Sequence, residues 1–100
     1  MVGGFDQGGA LALLVAYHMY HRALDGAISL SSFAMPVEKK HDLPAFLYHG
    51  AADNLIPCKV AEKSYKETLN DEGIIIEKGL GHEVSPTEMM KLKKFLLKLN

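Results

Sequence analysis

A single cysteine, Cys58, stands in 100 residues, so no internal disulfide can form, and one thiol among scattered histidines makes no structural zinc pattern. A reducing, cytoplasmic setting is the expectation. Long apolar runs are lacking too. The longest, residues 10–17, falls far short of the roughly 18 residues that suggest a membrane span, so no stable membrane insertion is expected. A secretory leader would place positive charge ahead of such a run, whereas residues 1–9 hold Asp6 and neither Lys nor Arg. Nor is there an excess of charge: eleven Lys and Arg oppose twelve Asp and Glu, for a formal charge of -1. That balance provides no bulk field for gripping phosphate backbones, and nucleic acid is set aside as a partner.

What is present is a globular composition, 48% hydrophobic and 23% charged, in a length that supports one small domain burying about 60–70% of its unfolded surface. Residues 1–5 read as the end of a strand, and residues 7–22, apolar almost all round, as a buried helix. After a turn at Asp25-Gly26, residues 27–31 (AISLS) form a short strand. A polar, proline-marked connection over 35–44 leads to a second compact strand, 45–49 (AFLYH). The loop from Gly50 to Pro57 opens an amphipathic helix with apolar residues at 60, 61, 65 and 69. Asn70 and Gly73 stop it, and the β-branched run Ile74-Ile75-Ile76 suits a central strand covered on both faces. Gly79 and Gly81 flank a turn that presents His82. Ser85-Pro86-Thr87-Glu88 is a capping box, and Met89, Leu92, Phe95, Leu96 and Leu99 form the apolar stripe of a final helix. The alternation predicts an α/β fold, a mostly parallel sheet flanked by helices. The first strand has no preceding partner, so further strands are expected upstream, and an open edge there predicts self-association.

Gly4-Phe5-Asp6-Gln7-Gly8 lies between a strand and a helix, the place of the G-x-S-x-G nucleophile elbow, with aspartate where that motif has serine. Glycines two residues either side of the tip allow a sharp turn and close helix–strand packing. The residue after the tip, here Gln7, offers a backbone N–H to an oxyanion. Chain order in this motif is nucleophile, acid, histidine, and it is met by Asp53, in the loop after AFLYHG, and His82, in the loop after the isoleucine run.

Residues 3–13 (GGFDQGGALAL), 27–31 (AISLS), 49–57 (HGAADNLIP) and 81–83 (GHE), in that order, resemble the acyl-protein thioesterases and related carboxylesterases of the α/β-hydrolase fold. Essentially the whole chain is covered. The resemblance implies the carboxyl-terminal part of an α/β-hydrolase sheet, with residues 1–100 a single partial domain starting at the nucleophile elbow. It also implies a cytosolic hydrolase that cleaves esters or thioesters of long acyl chains, on lipidated proteins or lysophospholipids, without a cofactor. The catalytic positions would be Asp6, Asp53 and His82, with Gln7 as an oxyanion donor.

Two departures bear on that expectation. The family has serine where this chain has Asp6, and its first half, with a second oxyanion donor worth about 10²- to 10³-fold in rate, lies outside the resemblance. A carboxylate attacking a thioester would yield a mixed anhydride, so acyl transfer should be impaired. Epoxide hydrolases and haloalkane dehalogenases do use an elbow aspartate, but at saturated carbon, where a stable ester results. Set between Asp6 and Asp53, His82 would be held protonated. The contrasting reading is a non-catalytic pseudo-hydrolase acting as a binding or regulatory module through exposed apolar surface. Plainer roles exist as well. Asp6 is a good helix N-cap, and an acid and a histidine in loops need no special purpose. His18 and His21 lack a third ligand, so no metal is expected. Cys58 reads as passive, and Lys91, Lys93, Lys94 and Lys98 as a solvated face.

Overall fold

Four strands build one parallel sheet in the computed structural model, which describes residues 1–70 and 73–99. They are β1 (Val2–Phe5), β2 (Ala27–Leu30), β3 (Ala45–Gly50) and β4 (Ile75–Glu77), and their order across the sheet is β1-β2-β3-β4. Val2 lies opposite Ala27, Ala27 opposite Ala45, and Tyr48 opposite Ile75. Three helices connect and follow them: α1 (Gln7–Leu14), α2 (Cys58–Ser64) and α3 (Pro86–Lys98). Both α1 and α2 end in a wider π-helical turn, Val15–Met19 and Tyr65–Leu69. The expected α/β class, a parallel sheet with helices on both sides, is the architecture observed.

Strand periodicity sorts the core into two layers. Ala27, Leu47 and the partly buried Ala45 pack with Leu13, Ala16, Tyr17, Ala61, Tyr65 and Leu69, on the face that α1 and α2 cover. Their alternates Ile28, Leu30, Phe46 and Tyr48 pack with Leu80, Leu92 and Phe95, on the face that α3 covers. Successive side chains on a strand point to opposite faces, so a sheet clad on both sides needs apolar residues in sequence rather than in alternation. One polar pair is built into the first layer, Ser29 Oγ and Tyr65 OH at 2.8 Å.

Several elements depart from the sequence reading. The isoleucine run is an edge strand, not a central one. Only Ile75 and Ile76 of it pair, and Ile76 is 40% exposed. A continuous β-branched run favours strand without saying how many neighbours the strand has. The first helix is shorter than 7–22 and is not apolar-buried all round, since Leu11 and Met19 face solvent. In α3 the buried stripe narrows to the half-buried Leu92, Phe95 and Leu99, while Met89 is 44% exposed. Among the described residues no helix is long and apolar enough to cross a membrane.

The start of α3 is the best-defined boundary. The Ser85 side chain accepts from the Glu88 N–H at 3.0 Å, Glu88 Oε1 accepts from the Ser85 N–H at 3.2 Å, and Pro86 occupies the first turn. Glu88 is fully buried, and burial pushes its carboxyl above the ordinary range. Removing the cap should cost about 0.5–2 kcal/mol. Ser85→Ala is therefore expected to lower the melting temperature by about 4–8 °C for each kcal/mol lost, read by circular dichroism.

Candidate active site

The turn from β1 into α1 is the tightest point of the chain. A Cβ on Gly4 would lie 2.2 Å from the backbone C and O of Gly8, so only glycine fits there. Gly8 itself has open space where a Cβ would go; the close packing expected of it belongs instead to Gly9, where a Cβ would meet the Ser32 side chain at 2.6 Å. Between them Asp6 has φ 57° and ψ -128°, a conformation that L-residues rarely adopt. It is held there by its neighbours. The Asp6 N–H donates to the Leu30 carbonyl at 2.9 Å, and the Asp6 carbonyl accepts from the Gly9 N–H at 2.9 Å and from the Ser32 hydroxyl. Contrary to the capping role that aspartate suggests, no side-chain cap bond forms. The carboxylate is aimed elsewhere.

It is aimed at His82. Asp6 Oδ2 lies 3.6 Å from His82 Nε2, an ion-pair distance longer than a hydrogen bond, and Nε2 has no hydrogen-bond partner. On the other side of the ring, the Nδ1–H donates to Asp53 Oδ2 at 2.8 Å. The three residues that the sequence separates by tens of positions thus converge beyond the carboxyl ends of β1, β3 and β4, where parallel α/β sheets place their sites. The Phe5 ring packs against the imidazole, with centroids 5.0 Å apart. Asp6 is 43% exposed at its side chain, His82 11%, and Asp53 is closed off from water. Gln7 is the first residue of α1, so its N–H has no acceptor within the helix and lies one residue past the turn.

Backbone geometry locks Asp53 in place. Oδ1 accepts from the Leu55 and Ile56 N–H groups, each at 2.9 Å. The loops carrying the acid and the histidine are bonded to each other, Ala51 N–H to the Glu77 carbonyl and Ala52 N–H to the Leu80 carbonyl, both at 2.9 Å. They press so closely that a Cβ on Gly50 would lie 2.2 Å from the Leu80 carbonyl oxygen. Below the His82 loop, Glu77 Oε1 accepts from the Tyr48 hydroxyl at 2.6 Å and from the Ser85 hydroxyl at 2.5 Å, tying β3, β4 and the start of α3. These two bonds hold the Glu77 carboxyl below the usual range, while burial and the Glu77 carboxylate push the Tyr48 phenol up to about 12.

Three residues of this framework escape sequence reasoning: His49, which is fully buried beside Asp53, and the pair Tyr48 and Glu77. Each sits in a strand where apolar neighbours dominate, and a polar residue inside such a run is the only signal. The other candidates stay apart. His18 Nδ1 lies 2.8 Å from the Glu38 carbonyl, and no group of three metal-ligating side chains converges among the described residues. Burial and the nearby Glu62 push the Cys58 thiol up, opposite to an activated thiolate.

The charges explain the protonation of the pair. The Asp53 hydrogen bond, more than burial takes away and aided by the charges of Asp53 and Asp6, raises His82 above its ordinary 6.5. For Asp53, burial acts to raise the pKa, but the Ile56 N–H, His82 and the Leu55 N–H together outweigh it and carry the group below 3.8. The raised histidine contributes stability that is fully present below pH 6.5 and lost as pH rises through its folded midpoint. The depressed acid contributes stability present above pH 3.8 and lost as pH falls through its own. An NMR titration should place the His82 midpoint above 6.5. Asp6→Asn should lower it and Asp53→Asn lower it further, because the Asp53 bond is the leading cause.

The whole chain, residues 1–100, matches the family model described as phospholipase/carboxylesterase. It is similar to acyl-protein thioesterase 1 homolog 1 of Dictyostelium discoideum, 33% identical over 109 aligned positions that cover 98% of this chain and 47% of that protein. It is also similar to lysophospholipase-like protein 1 of Mus musculus, 31% identical across 97% of this chain and 45% of that one. The chain spans about half the length of the curated relatives it matches. Among solved structures, esterase PE8 has a TM-score of 0.85 at 23% identity, covering 98% of this chain and 49% of its own. Arabidopsis thaliana SOBER1 has a TM-score of 0.84 at 22% identity, covering 97% and 51%. These likenesses show a shared fold.

Proposed function

The chain belongs to the phospholipase/carboxylesterase family, and on that premise we propose that residues 1–100 are a single partial α/β-hydrolase domain carrying an acyl ester or thioester hydrolase site in impaired form. Asp6 occupies the nucleophile position, Asp53 is the orienting acid, His82 the base, and the Gln7 N–H one oxyanion donor. The substrates are esters or thioesters of long acyl chains, on lipidated proteins or lysophospholipids, with no cofactor. The observation that carries this reading is the line of contacts from Asp53 through His82 to the side chain at the strained turn, 2.8 Å and then 3.6 Å. A reducing, cytoplasmic setting, supported by the lone Cys58, belongs to the same proposal.

With serine at position 6, His82 Nε2 would face a hydroxyl and could take its proton while Asp53 held the ring from behind. Aspartate changes both partners. It brings no proton to be taken, and its negative charge favours the imidazolium, which cannot act as a base. Should the carboxylate still attack a thioester, a mixed anhydride and a thiolate would form, a high-energy product from a weak nucleophile. The proposal is therefore a retained acid–histidine pair facing an unproductive neighbour.

The natural chain should turn over a chromogenic medium-chain acyl ester at background rate, and Asp6→Ser should exceed it by at least about 10²-fold. Adding His82→Ala to Asp6→Ser should return the rate to background. A fluorophosphonate probe, which needs only an activated hydroxyl, should label Asp6→Ser and not the natural chain. Turnover by the natural chain equal to that of the serine variant removes the proposal. Because β1 is outermost in the sheet, self-association through its edge is a further part of this reading. Sedimentation velocity should show a mass that rises with concentration, and a monomer at every concentration refutes that part.

A further inference from the structure

Behind the acid lies a second histidine that the proposed chemistry does not use. His49 sits on β3, fully buried, with Nε2 2.6 Å from the Ile56 carbonyl oxygen and 3.3 Å from Asp53 Oδ2. Both neighbours are acceptors, so Nε2 carries the proton and donates it to the nearer one, the Ile56 carbonyl, while Asp53 Oδ2 stands alongside at ion-pair distance. The opposite nitrogen, Nδ1, is buried without a partner. An unmet polar atom in a core costs stability, and a purely packing role at this position would be filled better by an apolar side chain.

The turn that grips Asp53 gives that cost a purpose. Oδ1 is held by two backbone N–H groups of its own turn, those of Leu55 and Ile56, whereas Oδ2 accepts from His82 and lies 3.3 Å from His49 Nε2. Without His49, the Ile56 carbonyl would lose its 2.6 Å bond, and the turn gripping Oδ1 would lose its tie to β3. The same N–H, through the Ile56 carbonyl, fixes the far end of the 53–56 turn against β3. The geometry points to His49 as a positioning residue: by holding the Ile56 carbonyl, its Nε2–H fixes the 53–56 turn whose N–H groups grip Asp53, and thereby the orientation and proton affinity of His82. This inference rests on the acid–histidine assignment of the preceding section.

Among the described residues, the groups that face His82 are Asp53, Asp6 and the Phe5 ring, and His49 reaches it through the turn that carries Asp53. The test uses the natural chain with Asp6 in place and reads His82 by NMR, as its titration midpoint and as the downfield Nδ1–H resonance of the bond to Asp53. Gln at position 49 can present an N–H near the place of Nε2; Asn and Leu cannot. His49→Leu and His49→Asn should lose or broaden the downfield proton and lower the His82 midpoint by about half a pH unit, while His49→Gln keeps both near the natural values. If His49→Leu does not fold, the Asn and Gln pair decides. Folded Leu or Asn variants with an unchanged His82 overturn the inference and leave the acid–histidine reading standing. A natural chain with no downfield proton and an ordinary His82 midpoint overturns that reading itself.

Discussion

A carboxylate removed from water must be surrounded by donors, and meeting that demand at Asp53 organises the whole rim of the sheet. Two backbone N–H groups satisfy one oxygen and the His82 ring the other, with His49 standing 3.3 Å away. Satisfied in this way, the group stays ionised while buried, and its charge then becomes a fixed reference for its surroundings. His82 takes its tautomer from it. The turn over residues 53–56 takes its shape from it. Remove the donors and the buried charge would be among the most destabilising features of so small a core.

Position 6 obeys a different constraint. The backbone there is forced into positive φ by the short link between β1 and α1, and the Gly4 and Gly9 contacts leave little slack. That conformation lifts the side chain clear of the helix it precedes, which is why aspartate gives up its usual capping bond and faces the imidazole instead. The strained turn at the meeting point of strand and helix leaves the Asp6 side chain 43% exposed. The identity of that side chain then decides whether the neighbouring ring sees a proton to accept or a charge to balance.

Much of this was legible in the chain, and for physical reasons. The elbow pattern, the acid and the histidine fall at strand ends in a fixed order, and the capping box before α3 is a purely local device, so both could be read without knowing what packs where. Features that depend on tertiary neighbours could not. The isoleucine run gave no sign that β4 lies at an edge, because hydrophobicity reports burial on the faces of a strand and not the number of strands beside it. Met89 looked like core by spacing but lies at the border of the α3 stripe. His49 hid within AFLYHG, where a buried polar residue resembles a tolerated exception until its bond to the Ile56 carbonyl is seen.

The crossed hydrogen bonds between the Gly50 and Leu80 loops have one more implication. Acid and histidine are fastened to one another through the main chain, whereas the elbow is fastened to β2. The Asp53–His82 pair and the turn at Asp6 are therefore separate mechanical modules that meet through the Asp6 and Phe5 side chains at the imidazole. A substitution at position 6 alters what the imidazole faces while leaving the Asp53–His82 hydrogen bond standing.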